Sequence, residues 1–170
     1  MKRIIALLLV LIMTASFAAC GSKKKENEVI GANIVNPMHE ATEEEIASVI
    51  GEIMLPAGAE DVKYHTIDIE HKIYQIKFTL EDIEYCYRVS DDPELTDTSG
   101  MYYDWSNTEV SSVEGRDATV SWNENETGII YWYDVVPGLN YSLSMSNGAS
   151  FDALVLMANN IFIPVQGEVG

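Results

Sequence analysis

The chain is short of cysteine, of base and of histidine, and each shortage removes a class of function. Only Cys20 and Cys86 occur in 170 residues, too few for a disulfide framework or a cysteine-rich zinc cluster. Lys and Arg number 10 against 27 Asp and Glu. Every acid follows Cys20, and from Glu26 onward only Lys63, Lys72, Lys77, Arg88 and Arg116 oppose them. A field of that sign repels phosphate backbones and anionic headgroups, so no nucleic-acid partner is expected. The three histidines leave the common metal and acid–base motifs unfilled. His39-Glu40 begins a zincin motif, but Glu43 stands where its second histidine belongs. His65 and His71 flank one expected strand with no cysteine partner. No serine stands in a nucleophile elbow, since Ser99-Gly100 lacks the preceding Gly-x, and no glycine loop is built to cradle phosphate. The longest apolar run, Ile4 to Met13, falls well short of the roughly 20 residues of a membrane-spanning helix.

That run is better placed as the core of a secretory signal. Lys2 and Arg3 precede it, and the small residues of Thr14-Ala15-Ser16-Phe17-Ala18-Ala19 follow. Ala18-Ala19-Cys20-Gly21 resembles the lipobox of bacterial lipoproteins, with Phe17 where that family most often has leucine. The resemblance implies that the Cys20 thiol carries a covalent diacylglycerol and becomes the mature N-terminus. It also implies an extracytoplasmic protein whose partner is the cell membrane through that anchor, with no other cofactor. Lys23, Lys24 and Lys25 sit beside the anchor, where each cation adds about 1 kcal/mol of attraction to an anionic surface. With Cys20 acylated, Cys86 has no intramolecular partner, and the fold must stand on packing alone. The expected organisation is a signal over 1–19, a lipidated cysteine and flexible basic tether over 20–35, and a single domain over 36–170.

Order is expected to begin at Asn36-Pro37-Met38. Thr42 followed by Glu43-Glu44-Glu45 is a capping-box pattern, with Ile46, Val49 and Ile50 as one apolar stripe and Gly51 as the stop. Ile53–Leu55 reads as extended, and Pro56-Ala57-Gly58-Ala59 as a turn. Val62–Ile69 reads as a strand. Next, Tyr74, Ile76, Phe78 and Leu80 alternate with Ile73, Gln75, Lys77 and Thr79, and Ile83, Tyr85, Tyr87 and Val89 with Glu84, Cys86, Arg88 and Ser90, so that every apolar residue but Ile73 shares a face. Folded about Glu81-Asp82, these pair Leu80 with Ile83, Phe78 with Tyr85, Ile76 with Tyr87 and Tyr74 with Val89, all on one face. The turn lacks the usual glycine, which leaves a longer loop open. Asp91–Asn107 is a polar loop. Strands follow at Ala118–Trp122, Gly128–Tyr133 and Leu139–Met145. In the last, Asn140, Ser142 and Ser144 predict a wet face. Ser150 caps a helix with a stripe of Phe151, Leu154, Val155 and Ala158, ending near Asn159-Asn160. The fold class predicted is α+β: a six- or seven-stranded antiparallel meander sheet with two short helices on one face.

Asn36-Pro37-Met38, Pro56-Ala57-Gly58-Ala59, Thr98-Ser99-Gly100-Met101-Tyr102, Trp132-Tyr133-Asp134, Pro137-Gly138 and Tyr141-Ser142-Leu143 together resemble an uncharacterised family of Gram-positive lipoproteins. They are similar to domains of unknown function attached to anti-sigma-type membrane proteins. The similarity spans most of residues 36–165, rests on turns and strand patterns, and implies no activity and no site residues.

Three places remain where chemistry could reside. Cys86 has Arg88 on its own face and Lys77 opposite, cations that lower a thiol pKa, but no base stands nearby. Asp91, Asp92, Glu94 and Asp97 crowd one loop in the manner of oxygen-rich calcium sites, without EF-hand spacing or its central glycine. Tyr102, Tyr103 and Trp105 lie in the same long loop, where aromatic faces suit a saccharide or protein ligand. The sequence therefore predicts a non-enzymatic, membrane-anchored domain binding a protein or envelope ligand. The alternative is a cell-envelope hydrolase whose site no short motif reveals.

Overall fold

The computed structural model describes residues 37–165, apart from Glu70 and Leu95. The expected signal segment over 1–19, Cys20 as the expected lipidation site, the expected tether over 20–35 and Asn36 lie outside the described residues. Two helices and eight strands follow in order: β1 (Met38–Glu40), α1 (Glu43–Ile50), β2 (Glu60–Asp68), β3 (Lys72–Leu80), β4 (Ile83–Ser90), β5 (Asn107–Val113), β6 (Arg116–Trp122), β7 (Gly128–Asp134), β8 (Leu139–Met145) and α2 (Phe151–Ile161).

The β3–β4 hairpin has the register that its alternation dictates, from Leu80 opposite Ile83 to Tyr74 opposite Val89. Its turn is the tight one. Glu81 and Asp82 take φ of 51° and 62°, both left-handed, so the turn twist matches that of the strands without a glycine. The α1 capping box is complete: Thr42 N donates to Glu45 Oε2 at 2.8 Å, and Glu45 N donates to Thr42 Oγ1 at 3.2 Å. Ile46 and Ile50 are buried, whereas Val49 is exposed, so the stripe that seats α1 is narrower than its spacing predicts. At α2, Ser150 Oγ accepts Ala153 N. The buried residues there are Leu154, Met157, Ala158 and Ile161, while Phe151 and Val155 are only half-buried. The helix ends at Ile161, one residue past the Asn159-Asn160 expected near its end. Asn159 donates within the helix to Val155 O and accepts the Glu114 amide from the β5–β6 turn, so it ties the last turn of the helix to that loop.

All eight strands form one antiparallel sheet in the order β1-β2-β3-β4-β8-β7-β6-β5. The fold is α+β as expected, but the strand count and the simple meander both need correction. The added strands are β1 and β5, and Ile53–Leu55 joins no ladder. The sheet consists of two four-strand meanders, and β4 pairs with β8 rather than with the next strand in sequence. One face carries the core. Ile76, Phe78, Val89, Val120, Ile130, Trp132 and Leu143 pack there with Ile46 and Ile50 of α1 and Leu154, Met157 and Ile161 of α2. Rings concentrate at its centre: Trp132 stacks on Tyr141 at 5.5 Å, and Phe162 meets both edge-on at 5.3 and 5.0 Å.

The other face is polar, and along β8 it is not wet. All seven residues of β8 are buried, Asn140, Ser142 and Ser144 included, which overturns the expectation of a solvated face. The reason lies in the topology. Through the antiparallel pairs β4–β8, β8–β7, β7–β6 and β6–β5, strand β5 runs parallel to β4. Residues 91–106 must therefore return along the strands while crossing four strand spacings, roughly 19 Å. A chain of that length reaches roughly 50 Å when extended, enough to make the diagonal with room to turn. Both helices occupy the apolar face, and the connection lies as a strap across the polar one.

Candidate binding cavity beneath the strap

Polar side chains on β3, β4 and β8 hold the strap. Arg88 Nε donates to Gln75 Oε1 at 2.9 Å, and its Nη1 donates to the carbonyls of Thr98 at 3.3 Å and Ser99 at 2.6 Å. Thr98 Oγ1 donates to Ser142 Oγ at 2.7 Å, a buried contact, and Asn140 Nδ2 donates to Asp92 O at 2.6 Å. Gly100, at φ +67°, passes so close that a Cβ there would lie 2.6 Å from Arg88 Nη1. Ser142 and Asn140 of β8, which read as solvent-facing in the sequence, are the strap's docking points, while Ser144 Oγ donates to Cys86 O at 3.4 Å.

The four acids of the strap do not assemble. Asp92 Oδ1 accepts the Glu94 amide at 2.9 Å, and Asp97 Oδ1 accepts the Ser99 amide at 2.8 Å, so these two carboxylates shape turns. Asp92 also lies 3.8 Å from His71 Nε2. Asp91 and Glu94 point outward. Among the described residues no three His, Cys, Asp or Glu side chains come together in a way that could hold a metal ion. The aromatic trio divides. Tyr102 is 92% exposed, whereas Tyr103 and Trp105 meet at 5.3 Å between ring centroids.

Tyr103 and Met101 form the strap side of a cavity of about 340 Å³, within the size range of small-molecule sites. Its floor is a single row across four strands. Lys63, Lys77, Cys86 and Ser144 are successive Cα partners from β2 through β3 and β4 to β8, and all four line the cavity. Glu84 and Thr79 flank the row, Ser146 and Thr127 close one end, and Asp61 stands at the β2 irregularity between Glu60 and Lys63. The Ser146 hydroxyl oxygen accepts the Glu84 amide, which leaves its proton free to donate.

Cys86 is the nucleophile candidate that this row contains. Burial pushes its thiol pKa up, with Arg88 and Lys77 opposing, and burial prevails. The lowering that the neighbouring cations suggest in sequence is thus outweighed, and no histidine belongs to the lining. The arrangement can bind; it offers Cys86 neither a lowered pKa nor an imidazole base. Of the candidate residues singled out in sequence, Tyr103 and Cys86 reach the cavity, as does Lys77, the cation expected opposite Cys86. Lys63, Ser144 and Ser146 were missed as site residues. The available signal was the scarcity of bases: two of the five beyond Glu26 sit on facing strands. No helix among the described residues is long and apolar enough to cross a membrane. Comparison with protein-family models, with curated proteins and with solved structures found no match for the chain.

Proposed function

We propose that this protein is a membrane-anchored extracytoplasmic lipoprotein whose single domain binds a small envelope ligand, or the exposed end of a larger saccharide or protein, without catalysing a reaction on it. The observation that carries the binding role is the strap-covered cavity, which combines an aromatic wall, hydroxyl donors and two cations in one concave site. The anchoring role rests on Lys2, Arg3, the apolar run and Ala18-Ala19-Cys20-Gly21. The resemblance to Gram-positive lipoproteins and to anti-sigma-associated domains points the same way.

The two parts are tested separately. Cys20→Ala should abolish fatty-acid labelling of the chain in cells, and undiminished labelling of the variant would end the lipoprotein assignment. For the cavity, Cys86 is a built-in reporter, since it is the one thiol left when Cys20 is acylated. Size-fractionated soluble fragments of the cell envelope should include one that slows alkylation of Cys86, and Tyr103→Ala should weaken that protection. Unchanged alkylation with every fraction counts against a binding cavity.

A further inference from the structure

We infer that the cavity takes a singly charged anionic group, a carboxylate or a phosphoryl oxygen, between Lys63 and Lys77; this rests on the cavity being the binding site proposed above. The argument starts from how the five bases of the domain are used. Lys72 pairs with Asp68 at 3.5 Å. Arg88 is spent on Gln75 and the strap carbonyls. Arg116 bonds the buried Asp134 and the Glu114 carbonyl and lies over the Phe162 ring. Lys63 and Lys77 alone make no hydrogen bond or ion pair among the described residues, and both line the same cavity.

They are also placed where folding would not put them. The two are direct partners across β2 and β3, and like charges directly opposite destabilise a sheet. An anion between the ammonium groups converts that repulsion into two charge-assisted contacts. The free hydroxyl proton of Ser146 adds a donor at the end of the row, and the Tyr103 ring offers a wall for the apolar body of a ligand. Asp61 and Glu84 share the lining but pair with neither lysine within 4.0 Å, so the ammonium groups stay available. In a domain so rich in acid, two carboxylates beside a cavity set a limit on ligand charge rather than a preference. With the surrounding negative field they disfavour polyanions and leave a small monoanion as the fitting guest.

The full chain, purified in detergent, is titrated with three probes that share one ring. Phenylacetate and methyl phenyl phosphate are monoanions of the two chemistries, and benzyl alcohol is their neutral counterpart. The expected result is that one or both anions bind more tightly than the alcohol, with affinity falling as salt is added; which anion wins identifies the chemistry. Lys63→Met/Lys77→Met should weaken that binding by about tenfold or more, while the melting temperature of the unliganded protein holds or rises because the facing charges are gone. The single variants Lys63→Gln and Lys77→Gln should each lose part of the affinity, which keeps the test independent of the double variant's folding. Benzyl alcohol binding as well as the anions, or anion binding untouched in the lysine variants, would overturn the inference and leave the cavity as a neutral site. Failure of all three probes to bind would overturn the inference and the cavity reading together.

Discussion

Gly128 opens β7 at a point where three residues crowd its hydrogen. A Cβ there would sit 2.8 Å from both Ala149 Cβ and Leu154 Cδ1 and 2.9 Å from Trp122 Cβ. Gly128→Ala is therefore expected to cost about 1–3 kcal/mol through overpacking, read by denaturant unfolding, although alanine is normally harmless at an extended position. Gly100 is a different case, because its added methyl meets a guanidinium that holds the strap. Gly100→Ala should speed alkylation of Cys86 under native conditions more than it lowers the melting temperature, since the strap loosens before the sheet does. Tyr141 sets an alkaline limit. Burial pushes its pKa up to about 12, with Asp134 adding to the shift and Arg116 opposing it. The folded state thus keeps a proton that the unfolded chain releases near pH 10. The stability tied to that proton is complete below pH 10 and is lost as pH climbs towards 12. Tyr141→Phe should flatten that decline in a pH series of melting temperatures. Part of the decline remains, because burial also raises Tyr85 and Tyr87.

Among the elements, the β3–β4 hairpin separates the two faces most cleanly. Phe78 is 2% exposed and stacks on Tyr85 at 5.1 Å, so Phe78→Ala should cost about 3–5 kcal/mol. Lys77→Ala, one residue away on the cavity face, should change stability by less than about 1 kcal/mol. Chemical denaturation of both variants checks the ranking, and a reversal would mean the faces are misassigned. This hairpin was legible because its apolar residues alternate without interruption, so that one register alone buries them. The capping box of α1 was legible for a similar reason, its signal being local. Strand β5 was not. Asn107–Val113 is a polar edge strand with Val110 84% exposed, and nothing in its composition asks for a ladder. The wet reading of β8 failed because alternation reports which side chains are apolar, not what covers the polar ones. The cavity was half legible. Tyr103 was found through its loop, but Lys63 and Lys77 became neighbours only through a pairing in which each side chain contradicts the other.

At the scale of the whole molecule, two contiguous halves meet along one seam, where β4 pairs with β8 from Tyr85–Met145 to Ser90–Asn140. Each half can form its own hairpins from neighbouring strands, whereas the seam joins residues far apart in the chain and must close late. Strengthening the seam should therefore slow unfolding more than it speeds refolding, and weakening it should do the reverse of the first. Stopped-flow measurements on Leu143→Ala, at a residue fully buried within the seam, check this: the expected change lies chiefly in the unfolding rate. The strap is the sole covalent link between the halves. While it is undocked, β4 presents an open edge that another molecule's β8 fits as well as its own. Concentrated refolding should thus yield dimers in which two chains have traded halves, with Arg88→Ala raising their share and dilution through the unfolded state returning monomers.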